Sequence, residues 1–401
     1  MLVMKWLFLL MIGVLVFSCQ VLEQSIEMNQ GGPVAANYQD TVEVEVVRDK
    51  VILPLRVNGE SKRFIFDTGA LTVVSRSLYR EMDYPVVGRD HFFDIHGNSE
   101  TSEVVRTGSM KLGNLVFKHV PALVYDLDKL PWKCFRVDGI IGSNMLRHSV
   151  VQVDLRDSVL ILSNDAGQLN MDSGRSVRMQ LDKQGSPYVP VRLGGEPARF
   201  FLFDSGREGL INVGKEYFSS MEQNIHYQIE KTGRGSDEMG MVGTGEEEQV
   251  YQVALDSFFL SGHTLHKPVI KVTSSVSSLG QELFRYGRIT MDFKRQRFLM
   301  EPYDDSLVYQ PSQNMGLGFS PVIERDTFRV GLVWQHSLVD SLGLEPGNRI
   351  LRINQYNYAD SPEKAFCESF LNQSLEKARS IEMIYQDRKG HYKRVKIRKK
   401  Q

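Results

Sequence analysis

Alternation of apolar and polar residues recurs along the chain and predicts β-strands. Residues 41–47 read TVEVEVV, a two-residue period that places every second side chain on the same face of a strand. Strand-like runs of the same kind occupy residues 108–125, 149–163 and 288–300. Helical periodicity is confined to short pieces such as RSLYREM at residues 76–82. The pattern therefore predicts an all-β protein.

One arrangement of these strands occurs twice. Residues 53–69 read LPLRVNGESKRFIFDTG, and residues 189–206 read VPVRLGGEPARFFLFDSG. The repeat continues downstream, where GSNMLRHSVVQVD at residues 142–154 matches GQELFRYGRITMD at residues 280–292. A repeat of this length indicates a duplicated domain instead of a short solenoid unit. The turn-rich residues 164–174 separate the two copies.

Each copy carries an acidic residue at the end of an apolar strand, Asp67 in the first and Asp204 in the second. One such residue could simply cap an Asx-type turn. Two residues in matching contexts favour a pair of carboxylates with a shared task. Two close carboxylates cannot both ionise cheaply, so they share one proton and can act as an acid and a base. Such a pair can activate water and protonate an oxyanion or a leaving amine.

These motifs resemble those of aspartic peptidases of the pepsin and retropepsin type, which have an early Asp-Thr/Ser-Gly and a late apolar–apolar–Gly in each of two lobes. The resemblance covers residues 41–303 and implies acid-protease-like β-barrel lobes at residues 41–164 and 175–303. It implies that Asp67 and Asp204 are the catalytic carboxylates of a peptidase that acts on peptides or proteins. The resemblance also implies that six residues support the two active-site loops: Thr68, Gly69, Gly142, Ser205, Gly206 and Gly280.

The second copy departs from the family pattern after its Gly. Ala70 follows the first motif, whereas Arg207 and Glu208 follow the second. A cation beside Asp204 favours the ionised carboxylate, although Arg207 could also pair with Glu208 at the rim. Three hypotheses stay open: an active endopeptidase, a peptide-binding or scaffold protein that has lost the function of the second acid, and an enzyme that acts only after binding a partner.

Two polar, Gly-containing stretches follow the Asp motifs, at residues 94–103 and 232–248. In the family that the lobes resemble, a hairpin at this place closes over the substrate as a flap, and glycines would give it mobility. For the second stretch, an ordinary exposed loop is the alternative.

Residues 312–401 resemble a PDZ domain, a small β-sandwich with helices. The resemblance implies that a loop formed by Gly316, Leu317, Gly318 and Phe319 captures a peptide carboxylate. Pro321 departs from the pattern, because proline cannot donate a hydrogen bond to an added strand. The helix start Ser361-Pro362-Glu363 agrees with the resemblance. We expect this domain to recruit or gate substrate through the short connection at residues 303–314, or to be merely structural.

The N-terminus predicts export. An apolar run at residues 6–17 follows a single Lys and is too short to span a membrane, as in a signal peptide. It ends in Val-Phe-Ser-Cys, which resembles a bacterial lipoprotein processing box. The interpretation is a signal peptide at residues 1–18, lipidation and membrane attachment at Cys19, and a polar tether at residues 19–40. A generic signal peptide with a chance Cys is the alternative.

Composition adds few constraints. The 401 residues suffice for several domains, and the formal net charge of −1 does not indicate nucleic-acid binding. Beyond Cys19, the chain has Cys134 and Cys367, which lie in different predicted domains, so we do not expect a disulfide between them. Because the two lobes of one chain supply both carboxylates, the sequence predicts a catalytic monomer. No metal ion or organic cofactor is expected.

Overall fold

The structure, a computed structural model, describes residues 28–171, 174–236, 238–310, 317–324 and 326–398. The predicted signal peptide, Cys19 and Gly316 lie outside the described residues. Within the described ranges, no helix is both long and apolar enough to cross a membrane.

The first lobe is built from short strands that curl around an apolar core. Its strands are β1 (Gly32–Pro33), β2 (Gln39–Glu43), β3 (Glu45–Val47), β4 (Lys50–Val57), β5 (Glu60–Phe66), β6 (Val73–Ser75), β7 (Val86–Phe93), β8 (Ser99–Arg106), β9 (Ser109–Leu112), β10 (Leu115–Lys118), β11 (Pro121–Tyr125), β12 (Gly139–Ile141), β13 (Val150–Asp154) and β14 (Val159–Ser163). Its helices are α1 (Arg76–Met82), α2 (Trp132–Phe135) and α3 (Ser143–Leu146). Helix α1 begins where the Ser75 hydroxyl accepts a hydrogen bond from the Leu78 backbone N–H, as expected for an N-cap.

The second lobe repeats this plan. Its strands are β15 (Val177–Arg178), β16 (Gln180–Leu181), β17 (Pro187–Leu193), β18 (Arg199–Phe203), β19 (Ile211–Gly214), β20 (Tyr227–Gly235), β21 (Glu248–Leu255), β22 (Ser257–Leu260), β23 (His263–His266), β24 (Val269–Thr273), β25 (Ser278–Leu279), β26 (Gly287–Asp292), β27 (Arg297–Pro302) and β28 (Leu307–Val308). Among its described residues it contains one α-helix, α4 (Lys215–Met221), and a 3-10 turn at Gln281–Arg285. Another 3-10 turn, Ala166–Leu169, lies between the lobes.

The two lobes share a sheet. Strands β2, β14 and β13 of the first lobe continue into β26, β27 and β15 of the second. At the centre, β13 and β26 pair antiparallel, with Val150 opposite Asp292 and Val153 opposite Ile289. These strands belong to the downstream repeat found in the sequence, so the two copies pair with each other. The duplicated, barrel-like β architecture confirms the predicted fold class.

Both Asp loops follow equivalent strands. In the first lobe, β12 pairs parallel to β5, with Ile141 opposite Phe66. In the second, β25 pairs parallel to β18, with Leu279 opposite Phe203. In both lobes, the strand that leads into the late Gly (Gly142 or Gly280) therefore lies beside the strand that delivers the Asp.

The C-terminal domain consists of six strands and three helices among its described residues. They are β29 (Phe319–Glu324), β30 (Thr327–Trp334), β31 (Arg349–Ile353), β32 (Tyr356–Asn357), β33 (Ser380–Gln386), β34 (Tyr392–Arg398), α5 (Leu338–Ser341), α6 (Pro362–Leu371) and α7 (Ser374–Lys377). Helix α6 begins at Pro362, the predicted start, and Phe366 is buried in the core of the domain.

The described part of the predicted tether, residues 28–40, is attached to the first lobe. Strand β1 pairs with β10, and β2 pairs with β14. The Tyr38 hydroxyl lies 2.8 Å from that of Ser149. The polar sequence of this segment led to the expectation of a tether. Its backbone instead completes sheets whose partner strands lie far along the chain, at Leu115–Lys118 and Val159–Ser163.

The expectation that Cys134 and Cys367 stay apart is wrong. The structure joins them in a disulfide, with their Cα atoms 5.0 Å apart. Cys134 lies on α2 of the first lobe and Cys367 on α6 of the C-terminal domain. The two domains were assumed to be separate, but these helices pack against each other, with the rings of Phe135 and Phe370 5.5 Å apart.

Candidate active site

The two Asp loops hold their residues with matching backbone hydrogen bonds. The Asp67 N–H donates to the Ile141 carbonyl at 3.0 Å, and the Asp204 N–H donates to the Leu279 carbonyl at 2.9 Å. Each acceptor lies on the neighbouring parallel strand described above. The two carboxyl groups are thus placed by rigid sheet elements.

Thr68 and Ser205 link the two loops directly. The Thr68 hydroxyl donates to the Phe203 carbonyl at 2.5 Å and accepts from the Ser205 N–H at 3.0 Å. Reciprocally, the Ser205 hydroxyl accepts from the Thr68 N–H at 2.9 Å and donates to the Phe66 carbonyl at 3.2 Å. Both side chains are fully buried. Because these four hydrogen bonds all cross the lobe boundary, they hold the two loops in one relative position.

Gly69 and Gly206 allow the loops to approach closely. A Cβ atom on Gly69 would lie 2.6 Å from Cγ of Asp204, and one on Gly206 would lie 2.2 Å from Oδ2 of Asp67. The glycine N–H groups instead donate to the carboxylates of their own loops, both at 2.9 Å. A larger residue at either position would push the carboxyls apart.

Gly142 and Gly280 pack beneath the loops. A Cβ atom on Gly142 would lie 2.2 Å from the Leu71 carbonyl carbon, and one on Gly280 would lie 2.3 Å from the Gly209 carbonyl oxygen. The structure therefore brings together the eight residues that the resemblance assigned to the dyad and its support.

The two carboxyl groups lie side by side, and each influences the pKa of the other. Burial and the negative charge of Asp204 raise the pKa of Asp67 to about 8. Burial also raises the pKa of Asp204, but the positive charges of Arg207 and Lys50 oppose this rise. The arrangement favours a protonated Asp67 that donates its hydrogen to an ionised Asp204.

Arg207 does not pair with Glu208 as the sequence left open. Its guanidinium donates to both carboxylate oxygens of Glu238, at 2.7 and 2.6 Å, and to the Ser278 hydroxyl. Glu238 also accepts from Lys271 at 3.1 Å. These cations outweigh the effect of burial and lower the pKa of Glu238. The charge of Arg207 is thus compensated inside the second lobe.

Lys50 is a site residue that the sequence reasoning missed. It is only 7% exposed, and its ammonium group donates to the Gly206 carbonyl. It lies close enough to both carboxyls to favour their ionised forms. A difference between the two repeats could have revealed this residue. When Pro54 is aligned with Pro190, Lys50 lies opposite the neutral Ser186.

Two hairpins enclose the dyad. One is formed by β7 and β8, and the other by β20 and β21. Their tips are joined, because the Asp94 carboxylate accepts from the N–H groups of Val242 and Gly243, both at 3.2 Å. The Tyr125 hydroxyl also donates to the Met241 carbonyl at 2.5 Å. Both predicted flap regions therefore lie over one cavity of about 410 Å³ that contains the two carboxyls.

The described residues of the predicted carboxylate-binding loop lie at this cavity too. Leu317 and Phe319 line it. Gly318 has a positive φ of 83°, and its carbonyl accepts from the Trp334 N–H at 2.9 Å. Pro321 also lines the cavity. Among the described residues, no group of acidic, His or Cys side chains is arranged to hold a metal ion.

One comparison with known proteins finds a family for part of the chain. A family model described as aspartyl protease matches residues 53–145, which include the first Asp loop. A search of the curated proteins found no match.

Similar solved structures include a retropepsin-like aspartic protease from Rickettsia conorii, which is 17% identical and covers 32% of this chain and 94% of its own, with a TM-score of 0.24. Conglutin gamma from lupine seeds is 11% identical, covering 66% of this chain and 95% of its own, with a TM-score of 0.38. Basic 7S globulin from soybean is 8% identical, covering 65% and 94%, with a TM-score of 0.39. The family match and the observed architecture support an aspartic protease-like fold for this chain.

Proposed function

We propose that this protein is an aspartic endopeptidase that hydrolyses peptide bonds with one water molecule activated by Asp67 and Asp204. The observation that carries the proposal is the contact between the two carboxyls, held by the reciprocal hydrogen bonds of Thr68 and Ser205. Burying two acids in contact costs free energy, and a shared catalytic task accounts for that cost.

The environments of the two acids assign their roles. Asp204, beside Arg207 and Lys50, is the ionised member and takes a proton from the attacking water. Asp67, the protonated member, donates its proton to the carbonyl oxygen of the scissile bond as the water oxygen bonds to the carbonyl carbon. Asp204 then passes its proton to the departing amine, while Asp67 recovers a proton as the carbonyl re-forms. The dyad ends with the single proton with which it began.

The test is hydrolysis of an unfolded protein by the purified chain at a concentration where it is a monomer. Asp67→Asn and Asp204→Asn should each lower kcat/KM by about 10²–10⁴-fold, the usual contribution of general acid–base groups. Their melting temperatures should not fall, because each substitution removes a buried carboxyl. If Asp204→Asn keeps full activity, the two-lobe mechanism is wrong. If wild-type protein binds peptides without cleaving them, the peptide-binding alternative is correct.

We also propose that the protein is exported and anchored to a bacterial envelope membrane through lipid on Cys19. The support is the sequence at residues 16–19, which resembles a lipoprotein processing box. Cys19→Ala should move the protein from the membrane fraction to the soluble exported fraction. Continued membrane attachment of this variant would mean that the apolar run is an uncleaved anchor.

We propose further that the C-terminal domain, which resembles a PDZ domain, recruits substrate or gates the cavity. Its support is position, because β30 pairs with β20 of the second hairpin, with Arg234 opposite Val333.

A further inference from the structure

The turn that precedes Lys50 lies between the first lobe and the C-terminal domain. Strands β3 and β4 form a hairpin in which Val47 pairs with Lys50, so Arg48 and Asp49 make its two-residue turn. Both turn residues have a positive φ, 49° and 64°, as the usual two-residue hairpin turns require. Because this conformation is unfavourable for Arg48, contacts with a neighbouring segment help to hold the turn.

The C-terminal domain supplies those contacts. The Arg48 guanidinium donates to the Glu376 carboxylate on α7 at 2.7 Å, and both side chains are mostly buried. It also lies over the Phe370 ring on α6, 4.4 Å from the ring centroid. Phe370 in turn packs edge-on against Phe135 of the first lobe. An arginine held by a carboxylate and by an aromatic face has one well-defined position.

The other end of the turn reaches the dyad. Lys50, two residues after Arg48, is buried, and its ammonium group donates to the Gly206 carbonyl of the second Asp loop. Its charge favours the ionised forms of Asp67 and Asp204. A short turn therefore connects the docking contact of the C-terminal domain to the cation beside both carboxyls.

Other charged groups also face the two carboxyls. Besides Lys50, the charged side chains that line the cavity with them are Arg48, Asp94, Arg207, Glu208, Glu238 and Glu376. Tyr188 of β17 lies near Asp204 but stays neutral, since burial raises the pKa of its hydroxyl. A change at Arg48 or Glu376 can therefore act on the carboxyls in two ways, through its own charge or through the position of Lys50.

We infer that docking of the C-terminal domain holds the Arg48–Asp49 turn and, through it, places the Lys50 ammonium against the Asp204 loop. Arg48 and Glu376 are then positioning residues, and the domain is an activating part of the enzyme in addition to a binding element. The inference rests on the proposed function and describes a regulation of that site. When the domain undocks, Lys50 is withdrawn, and the pH range in which the dyad works moves upward.

The sign of one shift separates this mechanism from a direct effect of charge. Glu376→Gln removes an anion from the cavity wall, so a direct effect would move the pH profile of kcat/KM to lower pH. If the ion pair places Lys50, the same substitution frees the turn and withdraws a cation, which moves both limbs of the profile to higher pH. We expect this upward shift in both Glu376→Gln and Arg48→Gln, by up to about one unit, the shift expected for Lys50→Met.

Two controls make the shifts interpretable. In the Lys50→Met background, neither Glu376→Gln nor Arg48→Gln should move the profile further, because no cation remains for the turn to place. Arg48→Gln alone decides this comparison if Glu376→Gln does not fold. Glu363→Gln is the matched control, because Glu363 of α6 also pairs with a first-lobe cation, Lys133 of α2, at 2.9 Å, and should leave the profile in place.

Three results would overturn the inference. They are a shift to lower pH in Glu376→Gln, a shift that persists in the Lys50→Met background, and an equal shift in Glu363→Gln. The first two would mean that the substituted charge acts directly on the carboxyls, and the third that any loosening of the domain has the same effect.

A measurement without substrate separates this inference from the proposed function. Full-length protein labelled with carbon-13 at its aspartate carboxyls is titrated by NMR, and the two signals are identified by their loss in Asp67→Asn and Asp204→Asn. If the wild type hydrolyses nothing but these signals titrate at higher pH in Glu376→Gln, the positioning role stands and the peptidase proposal fails. If hydrolysis occurs while neither the signals nor the pH profile moves, the inference fails and the peptidase proposal stands.

Discussion

The two Asp loops have the same backbone arrangement and differ in the charges around them. After Gly69 the first loop continues with Ala70, a small neutral residue, and the lobe places its cation, Lys50, against the other loop. After Gly206 the second loop continues with Arg207, whose guanidinium is buried against Glu238. Both nearby cations thus act on the second loop.

This difference shows how a duplicated motif can give two acids unequal roles. The hydrogen bonds that position Asp67 and Asp204 are nearly symmetric, so they do not distinguish the two residues. The positive charges of Arg207 and Lys50 favour ionisation of Asp204, whereas Asp67 has only the charge of Lys50 among these cations. The two loops therefore share their geometry, and the cations beside the second loop make the two acids unequal.

The largest expected effect concerns the ion pair that exists only in the second lobe. Arg207→Met should lower the free energy of unfolding by about 3–5 kcal/mol, because removing one partner of a buried pair leaves the other poorly compensated. The double variant Arg207→Met/Glu238→Gln should recover part of this loss. Urea denaturation of Arg207→Met, of Glu238→Gln and of the double variant measures the coupling. Additive losses would show that the pair does not act as a unit.

The second prediction concerns how each lobe holds the C-terminal domain, by a disulfide in the first lobe and by strand pairing in the second. The variant Cys134→Ser/Cys367→Ser should lower the free energy of unfolding by about 2–4 kcal/mol, as is typical for loss of a native disulfide. Reductant should lower the melting temperature of the wild type to that of the variant and leave the variant unchanged. A wild type that does not respond to reductant would contradict the role of this link.

The third prediction tests the symmetry of the loop contacts. Thr68→Val and Ser205→Ala should each cost about 1–3 kcal/mol, because each leaves a buried backbone N–H and a carbonyl of the other lobe without a partner. Similar losses in thermal or urea unfolding would match the reciprocal geometry. A large loss for one variant alone would show that a single loop carries the contact.

The smallest effect is a shift in the pH profile. Activity needs a singly protonated dyad, so kcat/KM should fall as the pH rises through the pKa of Asp67 near 8, and again at low pH when Asp204 is protonated. Lys50→Met removes a cation that favours the ionised carboxyls, so both limbs should move to higher pH by about one unit. Lys118→Met, at an exposed residue of the first lobe, is the control. A profile that moves to lower pH or stays in place would contradict the role of Lys50.

Much of the site could be predicted from local sequence. Each Asp loop is specified by a few consecutive residues, and the late apolar–Gly motifs follow at fixed spacing, so the duplication alone indicates that the loops meet. The downstream repeats even form the β13–β26 pair at the lobe boundary. These features depend on strand periodicity and turn chemistry, which act over short distances along the chain.

Other features depended on contacts that local patterns do not contain. The partner of Arg207 is Glu238, not the adjacent Glu208, because the second hairpin folds back over the loop. Cys134 and Cys367 meet because the C-terminal domain docks on the first lobe. The polar segment at residues 28–40 is ordered by sheets formed far along the chain.

By itself, the sequence determined the all-β class, the duplication and the two acids that meet between the lobes. Only the tertiary structure decided which charges surround those acids, and that the C-terminal domain completes the cavity above them. The physical reason is the range of the interactions involved. A strand and its turn are specified by neighbouring residues, whereas the ionisation of a buried carboxyl and the walls of a cavity depend on every segment that packs there, whatever its position in the chain.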